Sequence, residues 1–129
     1  MKDFVIRLAH GPGGLADVTN ALSLAGVNIK SLAAISLDNQ ALLRLIPDDP
    51  DAARSALREK RIRFEEHEVQ KVLLENKAGE LTGLASRLAE AGLNLEAIYL
   101  VGVADDLIEL AIVADDPKKA QKVLADLAS

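Results

Sequence analysis

Cysteine and tryptophan are absent from the 129-residue sequence, and the only aromatic residues are Phe4, Phe64 and Tyr99. The absence of cysteine excludes disulfides, zinc ribbons, iron–sulfur clusters and thiol nucleophiles. The scarcity of aromatic residues argues against RNA or single-stranded DNA as a partner, because their recognition relies on base stacking. Histidine occurs only as His10 and His67. We therefore expect no metal site, no catalytic site and no cofactor.

Long hydrophobic runs and a basic net charge are also lacking. No apolar run approaches the ~20 residues of a membrane span. The start of the sequence, MKDFVIRLAH, lacks the continuous apolar region of a signal peptide. The formal net charge is −5, and we interpret the densest basic stretch, Arg58 to Arg63, as a solvated helix end. The sequence therefore predicts a cytoplasmic protein without nucleic-acid or membrane partners.

The sequence repeats itself at an interval of 66 residues. AGVNI at Ala25–Ile29 recurs as AGLNL at Ala91–Leu95, and seven of the 22 positions from Leu8 to Ile29 are identical in the second copy. Asp-Asp-Pro at 48–50 recurs at 115–117, at an offset of 67. The second copy therefore contains one additional residue between the two motifs, and we place this insertion within residues 99–106. We predict a tandem duplication with domains at residues 1–66 and 67–129 and a largely aliphatic core.

Hydrophobic spacing and turn residues predict the same elements in each half. For the first half the predicted order is strand, helix, strand, strand, helix, strand, with strands at Phe4–Ala9, Asn28–Leu37, Ala41–Pro47 and Ile62–Glu66 and helices from Leu15 to Ala25 and Asp51–Glu59. This is the ferredoxin-like βαββαβ unit, an α+β fold with an antiparallel sheet.

The second half repeats this order but is one strand short. Its predicted elements are Val69–Leu74, Leu81–Ala91, Asn94–Val103, Leu107–Ala114 and Pro117–Leu127. With no strand after the last helix, its sheet is expected to expose an edge. We hypothesise that the first half or a second chain covers that edge.

Two motifs carry the candidate chemistry. The segment His10-Gly11-Pro12-Gly13-Gly14 lies between a strand and a helix, where backbone N–H groups and the helix dipole favour a small anion. Its spacing matches neither a phosphate loop nor a dinucleotide fingerprint, and a turn that simply needs glycine explains it equally well. Asn28 and Asn94 follow the glycine that ends the first helix of each half, where an amide either satisfies local backbone groups or holds an ammonium or carboxylate group.

These motifs resemble the ACT domain, a small regulatory ligand-binding module. Its signature is a strand, then Pro-Gly-x-Leu, an amphipathic helix and Gly-(Ile/Val)-Asn-Ile. Residues 12–15 and 26–29 match this signature, and residues 78–81 and 92–95 match it with alanine in place of proline. The resemblance extends over nearly the whole chain, and among ACT proteins the sequence most resembles the stand-alone tandem-ACT type. It implies a regulatory, non-catalytic protein that binds an amino acid where ACT units meet, forms a homodimer and acts on a partner enzyme.

The resemblance also implies the ligand-binding residues. In order along the chain, they are His10, Gly11, Gly13, Gly14, Leu15, Asn28, Ile29, Asn76, Gly79, Leu81, Asn94 and Leu95. For the four aliphatic members we favour the alternative interpretation that they are core residues. His10 departs from the family pattern, whereas Asn76 fits it.

The two predicted sites differ in charge. Residues 1–66 hold nine basic and nine acidic side chains, whereas residues 67–129 hold six basic and eleven acidic side chains. Glu80 takes the place of Gly14 at the helix start, where it repels a ligand carboxylate. We therefore expect the first turn to be the better carboxylate site. The alternative function is a dimerising assembly subunit of a partner enzyme, with no ligand site.

Overall fold

The chain folds into two compact units, Met1–His67 and Glu68–Ser129. The computed structural model describes residues 1–8 and 12–125. The division between the units lies one residue after the predicted boundary. Among the described helices, none combines the length and apolar composition needed to cross a membrane.

The first unit has the ferredoxin-like βαββαβ order, and the predicted fold class is confirmed. Its elements are β1 Lys2–Leu8, α1 Gly14–Leu24, β2 Ile29–Leu37, β3 Gln40–Pro47, α2 Pro50–Glu59 and β4 Glu65–Glu68. The four strands form one sheet in the order β2-β3-β1-β4, with β3 antiparallel to both neighbours β1 and β2. Phe4 and Ile6 alternate with residues on the opposite face of β1 and join buried residues of both helices in an aliphatic core.

The second unit repeats the first five elements. Its elements are β5 Gln70–Glu75, α3 Glu80–Glu90, β6 Leu95–Ala104, β7 Leu107–Ala114 and α4 Pro117–Ala125. The three strands form a sheet in the order β5-β7-β6. As predicted, residues 68–125 supply no fourth strand to this sheet. The predicted last residue of α4, Leu127, lies outside the described residues, and what covers the β5 edge stays a prediction.

The predicted fourth strand, Ile62–Glu66, begins too early. Strand β4 starts at Glu65, because the residues before it close the C-terminus of α2. Arg61 has a left-handed backbone with φ 59°, and the Ile62 N–H donates to the Leu57 carbonyl at 2.9 Å. The side chains at 62 and 64 are packed against the core before the strand begins. The predicted last residue of β1, Ala9, lies outside the described residues.

The residue inserted into the second repeat forms a β-bulge in β6. Leu100 pairs with Leu110 on β7, and the next pair joins Gly102 to Glu109. Val101 therefore has no opposite residue, which defines a bulge. This position lies within the predicted interval 99–106, and it explains why the offset between the repeats changes from 66 to 67.

A bidentate ion pair joins α2 to β4. Arg54 Nε lies 2.8 Å from Glu66 Oε2, and Arg54 Nη2 lies 2.6 Å from Glu66 Oε1. The guanidinium lowers the pKa of Glu66 below its ordinary value of 4.5, and the carboxylate raises the pKa of Arg54. Because folding lowers the pKa of Glu66, the ion pair stabilises the folded state at pH values above the ordinary pKa of glutamate. This contribution is lost as the pH falls through the lowered pKa of the folded state.

We expect Glu66→Gln to remove this pH-dependent part of the stability. The difference in unfolding free energy between the wild type and Glu66→Gln is expected to be largest at neutral pH and to disappear in acid. Urea unfolding across a pH series measures it, with Glu59→Gln at the exposed end of α2 as the control. A difference that stays constant with pH would contradict the role given to the ion pair.

Candidate functional site

A left-handed glycine precedes the first helix of each unit. Gly13 is the N-cap of α1 with φ 100° and ψ −19°, and Gly79 is the N-cap of α3 with φ 92° and ψ −21°. Residues with a Cβ rarely adopt these angles, so the backbone alone accounts for glycine in both repeats. Glycine has no side chain with which to cap the helix at either N-cap position. In α3 the Glu80 N–H donates to the Lys77 carbonyl at 3.4 Å, whereas the first N–H groups of α1 remain available to solvent or to an anion.

A depression of about 390 Å³ lies beside the first of these turns, and we call it the turn depression. It is bordered by the turn itself, the start of α1 and the facing ends of β2 and β3. Gly13, Gly14 and Leu15 line it together, and Ser36 and Gln40 supply polar side chains. None of the described lining residues is charged. The turn depression thus combines neutral walls with the positive end of a helix dipole.

A depression near the second turn, lined at Leu107 but not at Gly79, Glu80 or Leu81, is charged. It measures about 440 Å³, and its lining includes Asn76 and Asp106, whose backbones are joined by a 2.6 Å hydrogen bond from the Asn76 N–H to the Asp106 carbonyl. Lys77 Nζ lies 2.8 Å from Glu75 Oε2 and 3.7 Å from Glu80 Oε1. These contacts lower the pKa of Glu75 and raise the pKa of Lys77. Asn76 lines this depression together with two acidic residues and Lys77, and its role as a ligand contact stays a prediction.

The two candidate asparagines are bound to the Asp-Asp-Pro loops. The Asn28 N–H donates to Asp48 Oδ1 at 3.0 Å, and its carbonyl accepts from the Asp48 N–H at 2.9 Å. Asn94 forms the same pair with Asp115 at 3.2 and 3.0 Å, and its side-chain Nδ2 donates to Asp115 Oδ2 at 3.3 Å. These bonds give the repeated asparagine a structural role. The side-chain amide of Asn28 forms no hydrogen bond with the described residues.

Within one unit, the turn and the asparagine lie at opposite ends of the sheet. Leu8 at the end of β1 pairs with Ala41, whereas Ile29 pairs with Pro47 at the other end of β3. Ile29 is half-buried against the core, which supports its interpretation as a core residue. The core interpretation is wrong for the remaining aliphatic candidates, which are exposed, namely Leu15, Leu81 and Leu95. His10 and Gly11 lie outside the described residues.

Sequence reasoning missed a buried ion pair on β1 and β3. Asp3 is fully buried, and Arg44 Nε and Nη2 lie 3.1 and 2.5 Å from its Oδ2. The register pairs Phe4 with Leu45, so Asp3 and Arg44 are diagonal neighbours on one face of the sheet. The available signal was an acidic residue directly before one predicted strand and an arginine within another, and pairing them requires the strand register. Among the described residues, no group of three potential ligands is arranged to hold a metal ion.

Comparison with known proteins finds similarity among solved structures, whereas no family model and no curated protein matches. Protein BT0572 from Bacteroides thetaiotaomicron is 25% identical with a TM-score of 0.87, and the match covers 97% of this chain and 86% of that one. The ligand-free regulatory subunit of aspartate kinase from Thermus thermophilus is 18% identical with a TM-score of 0.62. The match covers 99% of this chain and 92% of that one. The structure of the aspartokinase α and β subunits is 15% identical with a TM-score of 0.61, and the match covers 96% of this chain and 92% of that one. These similarities establish an ACT-type, ferredoxin-like fold.

Proposed function

We propose that this protein is a non-catalytic regulatory member of the ACT family that binds an amino acid. The observation that carries the proposal is the turn depression, where an uncapped helix N-terminus faces a cavity whose described lining residues are uncharged. An α-carboxylate placed there accepts hydrogen bonds from the first N–H groups of α1 and complements the helix dipole. The aliphatic walls suit a small or branched apolar side chain.

The ligand's ammonium group requires acceptors from elsewhere. Asn28 and the turn are at opposite ends of one sheet, so a pocket that contains both needs two ACT units. We propose that a second copy of the chain supplies the other half. The exposure of Leu15 and Leu32, at 42% and 48%, supports this arrangement because both leave apolar surface near the β2 edge.

Regulation follows if the ligand prefers one arrangement of the dimer. A ligand shifts an equilibrium only by its difference in affinity for the two states, and coupling of about 1–3 kcal/mol is typical. We propose that this preference is passed to a partner enzyme. The fold shared with the aspartate kinase regulatory subunit is compatible with such a partner.

A thermal-shift screen against the common amino acids tests the proposal. At about 100 times its dissociation constant, a ligand that binds only the folded state adds about 2.7 kcal/mol of stability. We expect at least one amino acid to raise the unfolding temperature, with its amide analogue, which lacks the carboxylate, as the matched control. An equal shift with the amide, or no shift with any amino acid, would contradict binding through the carboxylate.

A dimerising assembly subunit without a ligand is the second candidate. Exposed apolar side chains favour it, since they lie on the outer strands β2 and β6 and at the starts of α1 and α3, namely Leu15, Leu32, Leu81, Ile98, Leu100 and Val103. Light scattering distinguishes the two functions. A dimer whose mass and stability do not respond to any amino acid indicates assembly, whereas a response to one amino acid indicates regulation.

A further inference from the structure

A second depression in the first unit is lined by two arginines. It measures about 500 Å³, and Val5, Arg7, Arg63, Phe64 and Glu65 line it. None of these residues borders the turn depression. Arg7 and Val5 lie on the face of β1 opposite the core residues at positions 4 and 6. The two depressions are therefore separate sites on one unit.

Neither arginine that lines this depression forms an ion pair with a described acidic residue. Arg44 and Arg54 are each bound to a carboxylate, whereas Arg7 and Arg63 form no ion pair within the part of the chain that the structure describes. Two guanidinium groups and the Glu65 carboxylate leave one net positive charge at the lining. Glu65 Oε2 lies 3.5 Å from His67 Nε2. Guanidinium groups bind oxyanions through two parallel hydrogen bonds, so the pair is suited to an anion.

The packing of Phe64 limits the kind of anion. Its ring centroid lies 5.3 Å from that of Phe4, and the Arg58 guanidinium lies 5.9 Å from the ring centroid. These contacts engage the ring with the protein itself and anchor the segment that carries Arg63. Phe4 and Arg58 thus occupy part of the ring surface of Phe64, which disfavours stacking of a planar ligand ring, whereas Val5 offers a small aliphatic contact.

We propose that Arg7 and Arg63 form a binding site for a small aliphatic dianion. A dicarboxylate spans the two guanidinium groups with one carboxylate on each, and a doubly charged phosphate places its oxygens between them. The shared chemistry is a double negative charge on oxygen atoms. This site is independent of the amino-acid site, so either is testable without the other.

Calorimetry with succinate, inorganic phosphate and acetate at matched ionic strength tests the site. We expect succinate or phosphate to bind the wild-type protein, and the stronger of the two identifies the anion class. Arg7→Gln with Arg63→Gln is expected to weaken binding at least about tenfold. Lys60→Gln with Arg61→Gln, which removes the same amount of charge from the basic stretch that contains Arg63, is the matched control and is expected to bind as the wild type does.

Three results would overturn the proposal: no binding of either dianion at millimolar concentration, equal binding of acetate, or equal weakening in both double variants. Equal weakening in both double variants would indicate that the dianion is attracted by the general positive charge of the surface. The Nε–Hε resonances of Arg7 and Arg63 in the wild-type protein provide a measurement that does not depend on a variant folding. They are expected to shift on addition of the dianion, and unchanged resonances would also overturn the site.

Discussion

Replacing Arg44 with methionine is expected to lower the free energy of unfolding by about 3–5 kcal/mol. The substitution leaves the Asp3 carboxylate, which is fully buried, without the guanidinium that contacts it through Nε and Nη2. Removing one partner of a buried pair costs more than the pair itself contributes, since the remaining charge is no longer compensated. Denaturant unfolding with a constant m value measures the loss.

The double variant Asp3→Leu with Arg44→Met separates charge from packing. Replacing both partners removes the uncompensated carboxylate, so the double variant is expected to recover most of the stability lost in Arg44→Met. Lys77→Met breaks an ion pair whose side chains are 63% and 61% exposed, and we expect it to have little effect. A double variant no more stable than Arg44→Met would show that lost packing, not the buried charge, causes the destabilisation.

The repeat and the turn residues made most of the fold predictable. Helices α1 and α3 begin 66 residues apart, and each follows a left-handed glycine. Asp49 caps α2 by accepting from the Ala52 N–H at 3.1 Å, ahead of proline in the first turn, as its sequence indicates. Local rules of this kind act over a few residues and are visible in the sequence. The predicted start of β4 was wrong because closure of the preceding helix, not β propensity, decides the conformation at Ile62.

The candidate site was less predictable, because its residues meet only through strand pairing. Gly14 and Leu15 are neighbours in sequence, but Ser36 and Gln40 join them only when β2 and β3 form their hairpin. The asparagines were recognised by repetition, yet their partners, Asp48 and Asp115, lie about 20 residues away. Arg7 and Arg63 meet across most of the first unit. No sequence periodicity links positions at such separations.

Replacing Gly14 with glutamate is expected to weaken amino-acid binding at the turn depression at least about tenfold. The change copies Glu80 of the second unit into the matching position of the first. Two carboxylates about 4 Å apart near a protein surface repel by about 4 kcal/mol before further solvent screening. Calorimetry with the amino acid that gives the largest stabilisation in the screen measures the loss.

The position permits this test because Gly14 lies inside α1, whereas Gly13 holds the left-handed conformation. A glutamate at a helix start complements the dipole and has a higher helix propensity than glycine. Gly14→Glu is therefore expected to be at least as stable as the wild type, so that lost binding does not reflect unfolding. Gly14→Gln is the matched neutral control and is expected to retain binding.

The reciprocal change, Glu80→Gly, removes an acidic group from the second turn. Glu75 and Asp106 still line the depression there, so we expect little gain of binding from this change alone. If Gly14→Glu binds as tightly as the wild type while Glu80→Gly alters affinity, the ligand carboxylate lies at the second turn. That result would reverse the assignment of the stronger site to the first unit.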